Sequence, residues 1–98
     1  MSNNDVQKNI LLDFSGLEGR RAIHTYLACK LSFPDYYGNN LDALFDCLTE
    51  LNGYRLILRH PGNLLAMGSY GEAVLETIRE AAAKYPERLS IIELDDSQ

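Results

Sequence analysis

The sequence predicts an α/β domain, a three-stranded parallel sheet packed with three to four helices. Three short apolar runs suited to strands, at 10–14, 54–60 and 89–94, are spread along the chain instead of clustered. Between them lie segments whose apolar residues recur every three or four positions, the period of a helix face. Strands alternating with helices pair in parallel through right-handed crossovers. The 98 residues form one domain, 1–98, with no internal repeat, linker or low-complexity segment.

Residues 1–8 are polar and expected to be flexible. Ile10, Leu11, Leu12 and Phe14 make the first strand. Ser15 and Glu18 stand in the S-x-x-E relation of a capping box, so a helix is expected to start there. Ile23, Leu27 and Leu31, with Tyr26 beside them, form its apolar stripe, and Pro34 ends it because the residue before proline avoids helical dihedrals. Gly38, Asn39 and Asn40 suit a turn, with Asn40 as N-cap of the next helix. That helix ends at Asn52 and Gly53, and alternation over 54–60 gives the second strand. Pro-Gly punctuation over 61–68 surrounds one or two helical turns. Ser69 and Glu72 repeat the capping box, and Val74, Leu75, Ile78, Ala81, Ala82 and Tyr85 stripe the last helix, which Pro86 stops. Leu89, Ile91, Ile92 and Leu94 make the third strand.

Nine basic against fourteen acidic residues give a net charge of −5. That argues against a direct nucleic-acid ligand, whose phosphates demand clustered Lys and Arg, and favours a basic protein partner. Cys29 and Cys47 are too few for a disulfide framework. No apolar run approaches the roughly 20 residues that span a bilayer, and the first residues lack the apolar core of a signal peptide. The expected setting is the cytoplasm, with no membrane contact.

The charge is concentrated in one place. Between Leu31 and Tyr54 there is no lysine or arginine at all, while Asp35, Asp42, Asp46 and Glu50 all fall in that window. On a wheel of 100° per residue Leu41, Leu44, Cys47, Leu48 and Leu51 share one side, and Asp42, Asp46, Thr49 and Glu50 the other, with Phe45 on the border. A charged helix face is usually no more than a solvated one. Here, however, Asp46 has like charges at i−4 and i+4 and no basic residue on its helix, a repulsion that a cationic partner would relieve. The row Glu72, Glu76, Glu80 has basic neighbours, Arg79 and Lys84, and reads as self-paired. Tyr36 and Tyr37 beside Gly38 suit aromatic anchors, at least one of them in the core.

Catalysis is not expected. Asp42 and Asp46 lie a turn apart with no pocket to separate acid and base roles. Cys47 falls toward the apolar side, His24 reads as a helix-surface residue and His60 as a strand-end residue, and neither metal-ligand spacing nor a phosphate-binding loop is present. No cofactor is expected.

The run PDYYGNNLDALFDCLTEL, supported by the later VLETIREA, resembles the signature region of the barstar family of intracellular ribonuclease inhibitors. The order of elements fits over nearly the whole chain. The resemblance implies a barstar-like fold and an immunity protein that blocks a guanyl-specific secreted ribonuclease as a 1:1 complex of an inhibitor monomer with a basic, barnase-like enzyme. It implies that the second helix and its preceding loop enter the enzyme's active site. Tyr36 would pack on the active-site rim, Asp42 and Phe45 would meet basic and loop residues, and Asp46 would occupy the phosphate site. Thr49 would lie at the edge, Glu80 would add a second acidic contact, and Gly38 and Asn40 would shape the presenting loop. Phe45 and Leu51 stand where the family pattern has tryptophan, and Lys84 where it has an acid. The alternative is a binding module that keeps this scaffold but regulates an unrelated basic protein.

Overall fold

The computed structural model describes residues 8–94. Its elements run β1 (Lys8–Asp13), α1 (Arg20–Leu31), α2 (Leu41–Thr49), β2 (Tyr54–Arg59), α3 (Gly62–Ala66), α4 (Ser69–Lys84) and β3 (Leu89–Glu93). The expected flexible stretch 1–8 lies outside the described residues except for Lys8, which opens β1. The sheet is parallel throughout in the order β1-β2-β3, with Leu12 opposite Leu58 and Leu56 opposite Ile91.

Alternation along the strands decides which face is covered. Leu12, Leu56, Leu58 and Leu89 are buried and join Ile23, Leu27, Leu44, Leu48, Leu64, Leu75 and Ile78 in one core. On the other face Leu11, Ile57 and Ile92 lie side by side in register, with Leu11 and Ile92 more than two-fifths exposed. The domain is therefore two layers, helices on one side of the sheet, although parallel sheets are commonly covered on both.

Both capping boxes give way to glycines. The chain enters α1 through Gly19 (φ 92°) and α4 through Gly68 (φ 96°), and neither helix has a side-chain cap. Positive φ at these positions is open to glycine without the clash a Cβ would bring. Ser15 serves the strand end instead, its amide and hydroxyl both donating to Asp13 Oδ1 at 2.9 and 2.7 Å. Those two bonds hold the Asp13 carboxyl below its usual pKa. The end of α1 is also earlier than Pro34 requires. Ser32 turns left-handed (φ 57°, ψ 46°) and the Phe33 amide closes on the Ala28 carbonyl at 3.0 Å.

Helix α4 is fixed on two sides. Gly71 is buried where a Cβ would run into the Leu64 carbonyl, so α3 and α4 touch backbone to backbone. The Arg79 guanidinium grips Glu93 of β3 through Nε (2.7 Å) and Nη2 (2.8 Å), and Glu76 through Nη1 (2.7 Å). This fork lowers the Glu93 pKa and raises that of Arg79. It also uses up the basic residue nearest the α4 acidic row.

Candidate functional site

The site is built on α2. Asn40, extended at φ −140°, accepts the Ala43 amide on Oδ1 at 2.8 Å while its carbonyl accepts the Leu44 amide at 2.9 Å, the N-cap expected from the sequence. Its Nδ2 also donates to the Gly38 carbonyl at 3.3 Å, joining cap and loop. Leu44 and Leu48 are fully buried and set the rotation of the helix, so that Asp42 and Asp46 face outward. The helix stops at Thr49, before the expected Asn52-Gly53 end, with the Glu50 and Leu51 amides closing on Cys47 and Leu48.

Helix α2 packs on α4, and between them opens a cleft of about 500 Å³ lined by Leu41, Asp42, Phe45, Asp46, Thr77 and Glu80. Residues far apart in sequence thus form one acidic surface. A second hollow lies on the loop side, lined among others by Tyr36, Gly38, Ala43, Asp46, Cys47 and Glu50. Asp46 lines both. Among the described residues no ion pair reaches Asp42, Asp46 or Glu80.

The expected Glu80–Lys84 pairing on α4 does not form. Lys84 instead holds its ammonium 5.9 Å from the Phe45 ring centre, across the helix interface. Glu80 is left to the cleft. Phe45 is half-buried, as its border position on the wheel suggested.

The two tyrosines separate. Tyr36 is 88% exposed, whereas Tyr37 is half-buried, packs its ring tilted against Phe33 with centroids 4.9 Å apart and reaches inward with its hydroxyl. Thr49 is half-buried and donates its hydroxyl to the Asp46 carbonyl at 2.9 Å, so its polar group serves the helix. Burial, then Glu50 and Asp46, push the Cys47 thiol up, which disfavours the thiolate. No three His, Cys, Asp or Glu side chains converge as metal ligands among the described residues, and no helix there is long and apolar enough to cross a membrane.

His24 is a correction. Expected on the helix surface, it is 1% exposed, with Nδ1 2.6 Å from the Tyr37 hydroxyl and Nε2 2.7 Å from the Tyr70 hydroxyl. A signal was present, since the wheel puts His24 about 20° from Leu31, on the apolar stripe itself. Tyr70 and Arg20, which stacks on the Tyr70 ring at 4.1 Å, carried no comparable signal.

The family model described as Barstar (barnase inhibitor) matches residues 7–95, from the start of β1 to just beyond β3. A Bacillus subtilis (strain 168) protein named "Putative ribonuclease inhibitor YrdF" is 39% identical over 88 residues, spanning 87% of this chain and 97% of that relative.

Proposed function

Because the chain belongs to the barstar family, we propose that it inhibits a basic, secreted, barnase-like ribonuclease by closing the enzyme's active site with α2 and the loop before it. The observation that carries this reading is Asp46: a carboxylate with no counter-ion among the described residues, shared by the α2–α4 cleft and the loop hollow. A ribonuclease gathers Arg, Lys and His to hold phosphate. A carboxylate on a capped, rigid helix can stand in for that phosphate at little ordering cost.

The other contacts follow from position. Asp42 and Glu80 extend the acidic surface across the cleft, and Phe45 supplies apolar area at its floor. Tyr36, exposed on the loop, packs on the enzyme's rim, with Gly38 and Asn40 setting the loop's path. Thr49 contributes its methyl and the acceptor side of its hydroxyl, because only the hydroxyl proton is engaged. Inhibition is substrate exclusion by a monomer in a 1:1 complex, and the inhibitor performs no chemistry. Its place of action is the cytoplasm of a cell that exports the toxin, as an immunity protein.

Titrating the protein into a barnase cleavage assay tests this. Activity should fall linearly to zero at one equivalent. The association rate should drop by about an order of magnitude or more as the Debye length contracts from ~30 Å at 0.01 M salt to ~3 Å at 1 M. Undiminished cleavage at excess inhibitor, or a rate indifferent to salt, would count against the reading.

A further inference from the structure

We infer that His24 is a positioning residue for the loop 34–40, tying it through the Tyr37 hydroxyl to α1 and through the Tyr70 hydroxyl to the start of α4. The inference rests on the inhibitor reading above for its effect on binding, but the geometry stands without it. His24 is the one buried polar side chain among the described residues. A neutral imidazole has one N–H and one lone pair, so one tyrosine donates to the ring and the other accepts from it. Both nitrogens are satisfied, at 2.6 and 2.7 Å.

Apart from the Tyr37 ring against Phe33 and the Asn40 cap on α2, the loop has little else to hold it. Its own hydrogen bonds are local, from the Tyr37 amide to the Pro34 carbonyl and from Asn40 Nδ2 to the Gly38 carbonyl. Among the described residues, His24–Tyr37 is the one hydrogen bond that carries 34–39 to a distant element. Tyr37 lies between Tyr36 and Gly38, both lining the loop hollow, so its anchorage sets where they stand. The far end of the chain is braced in turn, because the Arg20 guanidinium lies over the Tyr70 ring.

The groups around the ring favour its neutral form. Tyr37 faces it from the loop and Tyr70 from α4, Arg20 lies on its own helix, and Cys47 of α2 stands next to Tyr37. Burial, then Arg20, hold the His24 pKa below 6.5, and burial keeps Tyr37 a phenol. A folded-state pKa below the unfolded one means full stability above pH 6.5 and a loss as pH falls toward the lowered value. Protonation would make both nitrogens donors and force one hydroxyl to turn.

Tyr70→Phe removes one end of the tie while keeping the ring under Arg20. It should weaken inhibition of barnase by about 3- to 10-fold, the range expected for one hydrogen bond. The loss should vanish in a Tyr36→Ala background, where the contact it acts through is already gone. His24→Gln, which keeps a donor and an acceptor, should inhibit better than His24→Ala, and should lack the wild type's decline in affinity as pH falls toward the lowered His24 value. In the free protein, Tyr70→Phe should move the Tyr36 and Gly38 amide resonances, and the His24 ring nitrogens should report one neutral tautomer at pH 7. Wild-type affinity in Tyr70→Phe, or a loss undiminished by Tyr36→Ala, would overturn the proposal. Should the wild type itself fail to inhibit, the inhibitor reading falls, and unmoved Tyr36 and Gly38 amides would then overturn the His24 role independently.

Discussion

Asp46→Ala is expected to weaken inhibition of a barnase-like ribonuclease by about 10²- to 10⁴-fold. In the complex the Asp46 carboxylate would be buried against the enzyme's phosphate-binding cations. Removing one member of such a pair costs roughly 3–5 kcal/mol, because the other charges are left buried and unmatched. The free protein should respond in the opposite sense. Asp46 has Asp42 four residues before it and Glu50 four residues after, and each like-charge pair destabilises a helix by roughly 0.2–0.5 kcal/mol. Urea unfolding should therefore show Asp46→Ala as stable as the wild type or slightly more so. A variant that loses inhibition and stability together would point to a structural residue.

Leu48→Ala should do the reverse, costing roughly 2–5 kcal/mol of folding stability and leaving the contact residues in place. Leu48 is fully buried on the inner face of α2, two residues from Asp46, in the core shared with Leu44 and Ile78. Truncation leaves a cavity in the core beneath α2, the helix that carries the acidic face. For a domain whose total stability lies in the usual range of roughly 5–15 kcal/mol, that loss should be plain in the urea midpoint. A change below ~1 kcal/mol would mean that α2 is not held by its leucine face. At temperatures where the variant remains folded, it should still inhibit at one equivalent.

The alternation of strand and helix was legible because it is written in local periodicity. The period-2 runs and the helical stripes fell where β1–β3, α1, α2 and α4 stand, and Asn40 revealed its cap because the capping bond spans only three residues. Helix α1 starts at Arg20 and not at Ser15, while α4 does start at Ser69 but without the serine cap, both for one physical reason. A capping box needs the serine at the junction, but Gly19 and Gly68 occupy the junctions with backbone angles that the sequence pattern alone does not rank. Which face of the sheet stays open was not legible either, since Leu11 and Ile92 are as apolar as their buried neighbours.

Within the site, the split of α2 into a leucine face and an acidic face came from the wheel, whereas the packing of α2 on α4 is what brings Asp42, Phe45 and Asp46 onto one surface with Glu80. What the wheel missed was lateral. Lys84 was assigned to Glu80 from spacing on one helix, but the ring of Phe45 on another helix lies closer to its ammonium than spacing could reveal. The His24 partners are likewise 13 and 46 residues away, where tertiary packing decides.

The most direct test of the central claim is competition at the phosphate site. A guanosine monophosphate that fills the nuclease's guanine and phosphate sites should raise the apparent Kd of this protein in inverse proportion to the fraction of enzyme left empty, and Asp46→Ala should bind the loaded and empty enzymes with a smaller difference between them. Binding of the wild type to nucleotide-saturated nuclease with an unchanged Kd would contradict the claim that Asp46 stands in for the substrate phosphate.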